Sequence, residues 1–158
     1  MRWTESVLVN RPIPEVLAAI ANEHELMQWS AWPEATGYTC GVDGDGVSLG
    51  SSIVFTDAKG REQGRQRLTL VAADRVEYRL TNRGPAGRPI RPEVDFRLEP
   101  VGEHQTRVCL DFRATPPLPA GLRQLVELVL APRVRRLHVE DLRLLKEYVE
   151  RTPSSAST

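Results

Sequence analysis

The hydrophobic pattern of this chain changes period along its length, and that change most constrains the fold. Between about residues 34 and 113, apolar and polar residues alternate in short runs, which turns rich in Gly, Pro and Asp separate. A period of two places the apolar side chains of a strand on one face and the polar ones on the other. We therefore expect an antiparallel sheet with one apolar face, which needs a covering layer.

Two short helices are expected before this sheet. A strand at residues 3–10 is followed by two prolines, which are well tolerated in a first helical turn. Apolar spacing then predicts one helix at about 13–21 and a second at 24–29. Pro33 should end this helical region, because the residue before a proline is disfavoured in the helical conformation.

The C-terminal segment predicts a long amphipathic helix. Apolar residues recur at helical spacing from Leu122 to Leu130 and again from Val134 to Val149. We expect this apolar stripe to cover the sheet, with a break or kink at Pro132, whose ring clashes with the preceding turn. A curved sheet around such a helix either packs solidly or leaves a pocket, and this alternative is central to the function.

Length and charge set the broad class of protein. The chain has 158 residues, of which 41% are hydrophobic, and this suits one globular domain, placed at residues 1–151 before a disordered tail at 152–158. Basic and acidic residues both number 21, so net charge does not favour nucleic acid as a partner. Neither a signal peptide nor an apolar run of membrane-spanning length is recognisable. We expect a cytoplasmic monomer or homodimer without stable membrane insertion.

The cysteines and histidines suggest no metal site and no disulfide. Cys40 and Cys109 fit reduced thiols, and they belong to the predicted second and seventh strands, which we expect the first strand to separate. His24, His104 and His138 share no metal-ligand spacing, so neither a metal nor a cofactor is expected.

The order of elements and a few short motifs resemble one superfamily. A strand, two short helices, six further antiparallel strands and a long helix make up the helix-grip fold. Residues 4–29 resemble the opening of the START/Bet v 1-like (SRPBCC) superfamily, in its polyketide cyclase/dehydrase and lipid-transport branch. The similarity lies in the Pro-containing helix start at 11–16, the joint at 22–24 and Trp29, although the joint lacks the usual Asp-Pro. Residues 137–150 are similar to the last helix of that family.

The resemblance implies an α+β helix-grip fold with a seven-stranded curved antiparallel sheet. It also implies a deep, mostly apolar cavity between the sheet and the long helix. Members of the superfamily bind lipids, sterols, polyketides or plant hormones in that cavity, and a minority cyclise polyketide chains. No motif in this sequence matches a catalytic signature that would transfer roles to particular residues.

Three polar side chains are candidates for contact with a ligand. Gln66 and Tyr78 occupy the apolar registers of their strands, where a buried amide or phenol needs either a backbone partner or a ligand. His138 shares a helix face with Asp141. We favour an exposed helical pair there, with a general base inside the cavity as the alternative. Tyr78 and His138 are the catalytic candidates.

Other side chains are assigned by their position in the pattern. Trp29 is expected in the core and Trp32 at the pocket rim. Arg133, Arg135 and Arg136 form a basic cluster that we interpret as a solvated helix surface, with a phosphate or acyl-carrier partner as the alternative. The residues expected to line the cavity are Trp32, Ile53, Phe55, Gln66, Leu68, Tyr78, Phe96, Leu98, Leu110, Val134, Leu137 and His138.

Three functions remain open at this point. A binder of a small hydrophobic molecule, such as a lipid, a polyketide or an isoprenoid-like compound, is favoured because the sequence has neither paired carboxylates nor nucleophile–base spacing. A polyketide cyclase-type enzyme needs a titratable group that faces the cavity. A chaperone-activator-like interaction module would have a filled interior and an exposed apolar patch.

Overall fold

The computed structural model describes residues 1–154, which form one antiparallel sheet and four α-helices. The helices are α1 (Ile13–Ala21), α2 (Glu23–Trp29), α3 (Trp32–Thr36) and α4 (Ala120–Arg151). The strands are β1 (Arg2–Val9), β2 (Thr39–Asp43), β3 (Ser52–Thr56), β4 (Glu62–Ala72), β5 (Arg75–Asn82), β6 (Glu93–Pro100) and β7 (Thr106–Arg113). This is the helix-grip arrangement predicted from the sequence. The tail predicted at 152–158 lies partly outside the described residues.

The strands are ordered β1-β7-β6-β5-β4-β3-β2 across the sheet. The expectation that the first strand separates the second from the seventh is therefore wrong. β2 forms the edge opposite β1, because each hairpin from β2 to β7 adds its next strand on the same side and β1 then pairs with β7. Cys40 and Cys109 are free thiols on strands that four others separate.

The inner face of the sheet follows the predicted alternation except in β4. Leu68 pairs with Tyr78, but a bulge shifts the register so that Leu70 pairs with Glu77. Directly paired residues share a face, and one extra residue reverses the alternation beyond it. Leu68 is therefore buried in the core, whereas Leu70 lies on the outer face, not with Gln66 and Leu68 as the alternation predicts.

The segment between β1 and β2 contains one more helix than expected. Asn22 ends α1 and caps α2, since its side-chain oxygen accepts hydrogen bonds from the backbone N–H groups of His24 and Glu25. Pro33 does not end the helical region but lies in the first turn of α3, where a missing N–H costs nothing. Gly37 then ends α3 with a φ of 70°, in the left-handed region that favours glycine.

Helix α4 is continuous over 32 residues, so the predicted break at Pro132 does not occur. Proline removes one intrahelical hydrogen bond, here to the carbonyl of Leu128. Pro132 and Leu128 are both exposed, so that water can satisfy this carbonyl. None of the helices within residues 1–154 combines the length and the apolar character needed to cross a bilayer.

The two halves of α4 differ in what they cover. The packed half, residues 133–151, buries Leu142, Leu145 and Val149 against the core. The projecting half, residues 120–131, leaves five of its six leucine and valine side chains exposed, and Val126 is half-buried. The expected stripe over the sheet is thus correct for the packed half only. The exposed side chains of the projecting half are Leu122, Leu125, Leu128, Val129 and Leu130.

Candidate functional site

A cavity of about 460 Å³ lies between the inner face of the sheet and the packed half of α4. Strands β3 to β7 supply most of its floor, α2 and α3 close one side, and α4 closes the top. Its wall is mostly apolar and aromatic, as ligand pockets usually are. The apolar lining includes Leu26, Trp29, Phe55, Leu80, Ile90, Val94, Phe96, Leu110, Phe112, Leu130 and Val134.

The mouth of the cavity opens at one end of the sheet. Thr36, Arg83 and Leu130 line the cavity and are also exposed, so they mark the opening. Met1 and Ala114 line the same end, where the backbone nitrogen of Met1 donates a hydrogen bond of 2.7 Å to the Ala114 carbonyl. The projecting half of α4 extends past this end, so it lies beside the mouth.

Not every residue expected at the site reaches the cavity. Those that line it are Trp32, Phe55, Gln66, Phe96, Leu110, Val134 and His138. Those that do not are Ile53, Leu68, Tyr78, Leu98 and Leu137. Of the second group, four are buried among other side chains of the core, and Leu137 faces a separate surface groove beside α2 and α3.

Tyr78 is fully buried and is satisfied by the protein itself. Its hydroxyl donates a hydrogen bond of 2.7 Å to the backbone carbonyl of Ile20. Burial raises the pKa of the phenol above its ordinary value, with the nearby Glu23 adding to the shift. Tyr78 therefore anchors the end of α1 to β5 and offers no proton to the cavity.

His138 is buried on the cavity wall, so the expectation of an exposed helical pair with Asp141 is wrong. Its ring packs against Phe112, with ring centroids 4.7 Å apart. Nδ1 accepts a hydrogen bond of 3.1 Å from the indole N–H of Trp3, which can only donate. Burial lowers the pKa of His138 to about 4, so the imidazole is neutral at pH 7 and carries its proton on Nε2.

The Nε2–H group of His138 has no hydrogen-bond partner within residues 1–154, and the side-chain amide of Gln66 has none either. Both residues line the cavity, one from α4 and the other from β4. An unsatisfied donor in a mostly apolar pocket is available to a ligand oxygen. The pair can therefore fix the orientation of a bound molecule that carries a carbonyl or hydroxyl group.

Asp141 also lines the cavity, but its oxygens are already occupied. One oxygen accepts hydrogen bonds from the backbone N–H of Ala31, at 2.7 Å, and from the Ser30 hydroxyl. The other accepts from the indole N–H of Trp32 at 3.0 Å. Burial raises the pKa of Asp141 to about 7, although these donors oppose the shift. Asp141 thus fixes the joint between α2 and α3 and positions Trp32 over the cavity.

A second buried carboxyl group lies outside the cavity lining. Glu23 is fully buried, and one of its oxygens accepts a hydrogen bond of 2.7 Å from the Ser51 hydroxyl, while Oε1 has no partner within residues 1–154. Burial raises its pKa, which favours the protonated acid. The contact joins α2 to the loop before β3. No cluster of three His, Cys, Asp or Glu suited to a metal occurs in the described part of the chain.

Several wall residues were missed at the sequence level. Leu80 and Val94 belong to the same alternating runs as Tyr78 and Phe96, so the period of two contains a signal for them. Phe112 is likewise in an inward register of β7. Trp3 does not line the cavity but orients His138, and the sequence carries no signal for this role because the contact joins residues 135 positions apart.

Comparison with known proteins agrees with the fold described above. The chain belongs to the polyketide cyclase/dehydrase and lipid transport family, whose model matches residues 1–150. No curated protein matches the chain significantly.

Solved structures share the fold at low sequence identity. A Chromobacterium violaceum protein has 18% identity and a TM-score of 0.66, with 96% of this chain and 98% of that chain covered. A hypothetical Helicobacter pylori protein has 8% identity and a TM-score of 0.69, with 94% and 88% covered. DynU16, from the dynemicin biosynthetic locus, has 17% identity and a TM-score of 0.58, with 95% and 47% covered.

Proposed function

We propose that this protein binds a small hydrophobic molecule, such as a lipid, a polyketide or an isoprenoid-like compound, in the cavity between the sheet and α4. The observation that carries the proposal is a cavity of about 460 Å³ with an apolar wall and two unpaired polar groups. Its volume lies within the usual range for ligand pockets, ~300–1,000 Å³. The ligand that fits has a largely apolar body and at least one oxygen acceptor.

The expected affinity follows from the apolar surface that the ligand buries. Covering ~300 Å² of ligand surface at ~25 cal/mol/Å² yields roughly 7 kcal/mol, from which association costs subtract several kcal/mol. Apolar contact alone then supports only binding weaker than micromolar, because micromolar affinity needs about 8 kcal/mol net. Hydrogen bonds from His138 and Gln66 add about 1 kcal/mol each and set the orientation.

Binding can be tested with the neutral fluorescent probe 1-aminoanthracene. The wild-type protein is expected to bind it, whereas Leu80→Trp, which fills the cavity from β5, should abolish binding. Leu8→Trp is the control, because Leu8 is 38% exposed and does not line the cavity. Native mass spectrometry of freshly purified protein would identify a co-purified ligand. Probe binding that survives in Leu80→Trp contradicts the proposed site.

The role of the polar groups needs a separate comparison of two ligands. 2-Acetylnaphthalene and 2-ethylnaphthalene have nearly the same shape, but only the first has a carbonyl acceptor. The wild-type protein should prefer the ketone by roughly fivefold, the value of one hydrogen bond of ~1 kcal/mol. His138→Phe and Gln66→Leu should each reduce this preference, as measured by calorimetry. Equal affinity for both ligands in the wild-type protein contradicts the assigned role of these donors.

A polyketide cyclase-type activity is the second candidate. The family description and the pKa of Asp141, raised to about 7 beside the cavity, favour it. Binding ranks first because both Asp141 oxygens are engaged and Tyr78 points away from the cavity. Conversion of a bound poly-β-ketone by wild-type protein, lost in His138→Phe, would establish catalysis, while tight binding without conversion supports the first candidate.

A further inference from the structure

The apolar side chains of the projecting half of α4 face away from the core. Leu122, Leu125 and Val129 follow the spacing of one helix face. At 3.6 residues per turn, this face is rotated by roughly half a turn from the one that buries Leu142 and Leu145. The stripe therefore cannot reach the sheet while the helix is continuous, and nothing within residues 1–154 covers it.

Exposed arginines without an acidic partner surround the same end of the molecule. We call this set the rim arginines, and its members are Arg83, Arg88, Arg91, Arg133 and Arg136. Three lie in the loop at 83–92, which contains no acidic residue. By contrast, most arginines on the outer face of the sheet are paired, for example Arg79 with Asp95 at 2.7 Å, and the exceptions within residues 1–154 are Arg2 and Arg67. The chain is neutral overall, but five exposed arginines without an ion pair lie at this one end.

Both features adjoin the cavity mouth. Arg83 and Leu130 line the cavity and are exposed at its opening. Arg133 and Arg136 continue the helix face of Leu125 and Val129 by one to two turns. The apolar stripe and the rim arginines thus lie at the end of the molecule where the cavity opens, and together they make up one exposed apolar and basic surface at that end.

We propose that this surface docks on an anionic lipid membrane, with the projecting half of α4 lying in the interface plane. A helix with exposed leucines and nearby arginines binds such a surface through apolar burial and attraction to anionic headgroups. Docking would place the mouth against the lipid, so a hydrophobic ligand could pass between bilayer and cavity without crossing water. The inference goes beyond ligand binding, since an empty protein would dock as well.

Two other occupants fit the surface less well. In a two-fold dimer the same patch meets itself, so the rim arginines of both copies would approach one another. An acidic protein would match the charge, but a flat partner covers only a stripe of a helix. Leu125, Leu128 and Leu130 point in directions that together span more than half of the helix circumference. The headgroup region of a bilayer can surround such an arc.

Vesicle flotation tests docking directly. Wild-type protein is expected to float with phosphatidylcholine vesicles that contain phosphatidylglycerol, and to bind much less to vesicles of phosphatidylcholine alone. Added salt should weaken the interaction, because it screens exposed charges. Binding that is equal for both vesicle types, or absent from both, overturns the proposal.

Two double variants separate the apolar and the charged contributions. Leu125→Gln with Val129→Gln should reduce partitioning by about tenfold or more, since both side chains lose apolar burial. Its matched control is Val47→Gln with Leu49→Gln, a Val and Leu pair of similar exposure, 54% and 63%, against 57% for Val129 and 59% for Leu125. Arg133→Gln with Arg136→Gln should weaken partitioning roughly 25-fold, at about fivefold per arginine. Arg2→Gln with Arg67→Gln is the charge control, because both arginines are on the outer sheet face.

Further measurements distinguish this proposal from its competitors and from the binding function. A dimer in light scattering that dissociates in Leu125→Gln with Val129→Gln would overturn membrane docking in favour of a second copy. Docking retained by both double variants overturns it as well. Leu80→Trp should still float, whereas Leu125→Gln with Val129→Gln should still bind 1-aminoanthracene in solution. Failure of docking and failure of ligand binding therefore give different results.

Discussion

The two halves of α4 both carry leucines and valines at helical spacing, but their surroundings are opposite. In the packed half, Leu142, Leu145 and Val149 are almost fully buried against the sheet and α1. In the projecting half, Leu125 is 59% exposed and Leu128 is 74% exposed. One continuous helix joins them through Pro132. The comparison shows that helical spacing of leucines predicts a helix with an apolar face, but not which surface that face meets.

The difference follows from the finite extent of the sheet. Strand β1 contacts α4 along the packed half, where Lys146 donates a hydrogen bond to the Leu8 carbonyl and Glu150 accepts one from the backbone N–H of Asn10. Beyond Met1 and Ala114 the sheet ends, and the projecting half is held there by Glu127, which accepts a hydrogen bond of 3.1 Å from the Met1 amino group. The packed half is thus part of the folded core, whereas the projecting half is available for intermolecular contacts.

Truncating one leucine in each half gives the largest expected contrast. Leu145→Ala should lower the free energy of unfolding by about 3–4 kcal/mol, because it leaves a cavity at a fully buried position. Leu125→Ala should change it by no more than about 0.5 kcal/mol, as at other exposed sites. Urea denaturation measures both values. Similar losses in the two variants would mean that the projecting half is also packed in solution.

The pH dependence of the free energy of unfolding tests the protonation states of Asp141 and His138 in the packed half. Asp141 has a folded pKa of about 7, above its ordinary 3.8, so its stabilising contribution is complete below about pH 4 and is lost as the pH rises towards 7. His138 has a folded pKa of about 4, below its ordinary 6.5, so its contribution is present above pH 6.5 and is lost as the pH falls towards 4. These opposite slopes should offset one another in the wild-type protein, while Glu23, whose pKa burial also raises, adds a slope in the same direction as that of Asp141.

Replacing either Asp141 or His138 should reveal the pH dependence that the other residue contributes to the free energy of unfolding. Asp141→Asn should make the free energy of unfolding increase between pH 4 and 6.5, by roughly 3 kcal/mol at most. His138→Gln should make it decrease between pH 4 and 7 by a similar amount. Urea denaturation across this range measures both slopes, and Arg123→Gln in the projecting half serves as the unchanged control. Variants with parallel pH profiles would contradict the assigned protonation states.

Replacing Pro132 tests how independent the two halves are, with the smallest expected effect. Pro132→Ala restores a helical hydrogen bond in an exposed segment, and if that segment opens apart from the core, little of the ~3 kcal/mol difference between proline and alanine should appear in the global free energy of unfolding. Hydrogen exchange of the amides at 120–131 should slow by on the order of 100-fold, whereas exchange at 138–149 should not change. Equal slowing in both ranges would show that the halves open together.

The sequence predicted the elements whose signals are local. Strands β5 to β7 follow the period of two, and α1 begins and ends where the prolines and Asn22 indicate. The bulge in β4 left no signal, because Leu70 alternates with its neighbours in sequence but not in register. The position of β2 at the far edge depends on strand order, which periodicity does not contain.

The candidate site was less predictable because its key contacts are remote in sequence. His138 is buried only because Trp3 and Phe112 pack around it, and no local pattern reports those contacts. The sequence predicted Tyr78 in the cavity lining, but its hydroxyl donates a hydrogen bond to the Ile20 carbonyl at the end of α1. The reversal of the apolar face in α4 was present in the spacing of Leu122, Leu125 and Val129. This reversal predicts an exposed apolar face only when the position at which the sheet ends is known.

The short β2 strand limits strand pairing between copies of this protein at this edge of the sheet. An edge strand presents unpaired backbone groups that can recruit a strand from another molecule. β2 has only five residues, one of them Gly41, and it ends at Asp43, whose carboxylate forms an ion pair of 2.6 Å with Arg65. A short edge strand that ends in an ion pair offers few unpaired backbone groups to a strand from another molecule. The β2 edge should therefore resist strand-by-strand polymerisation even when the protein is crowded.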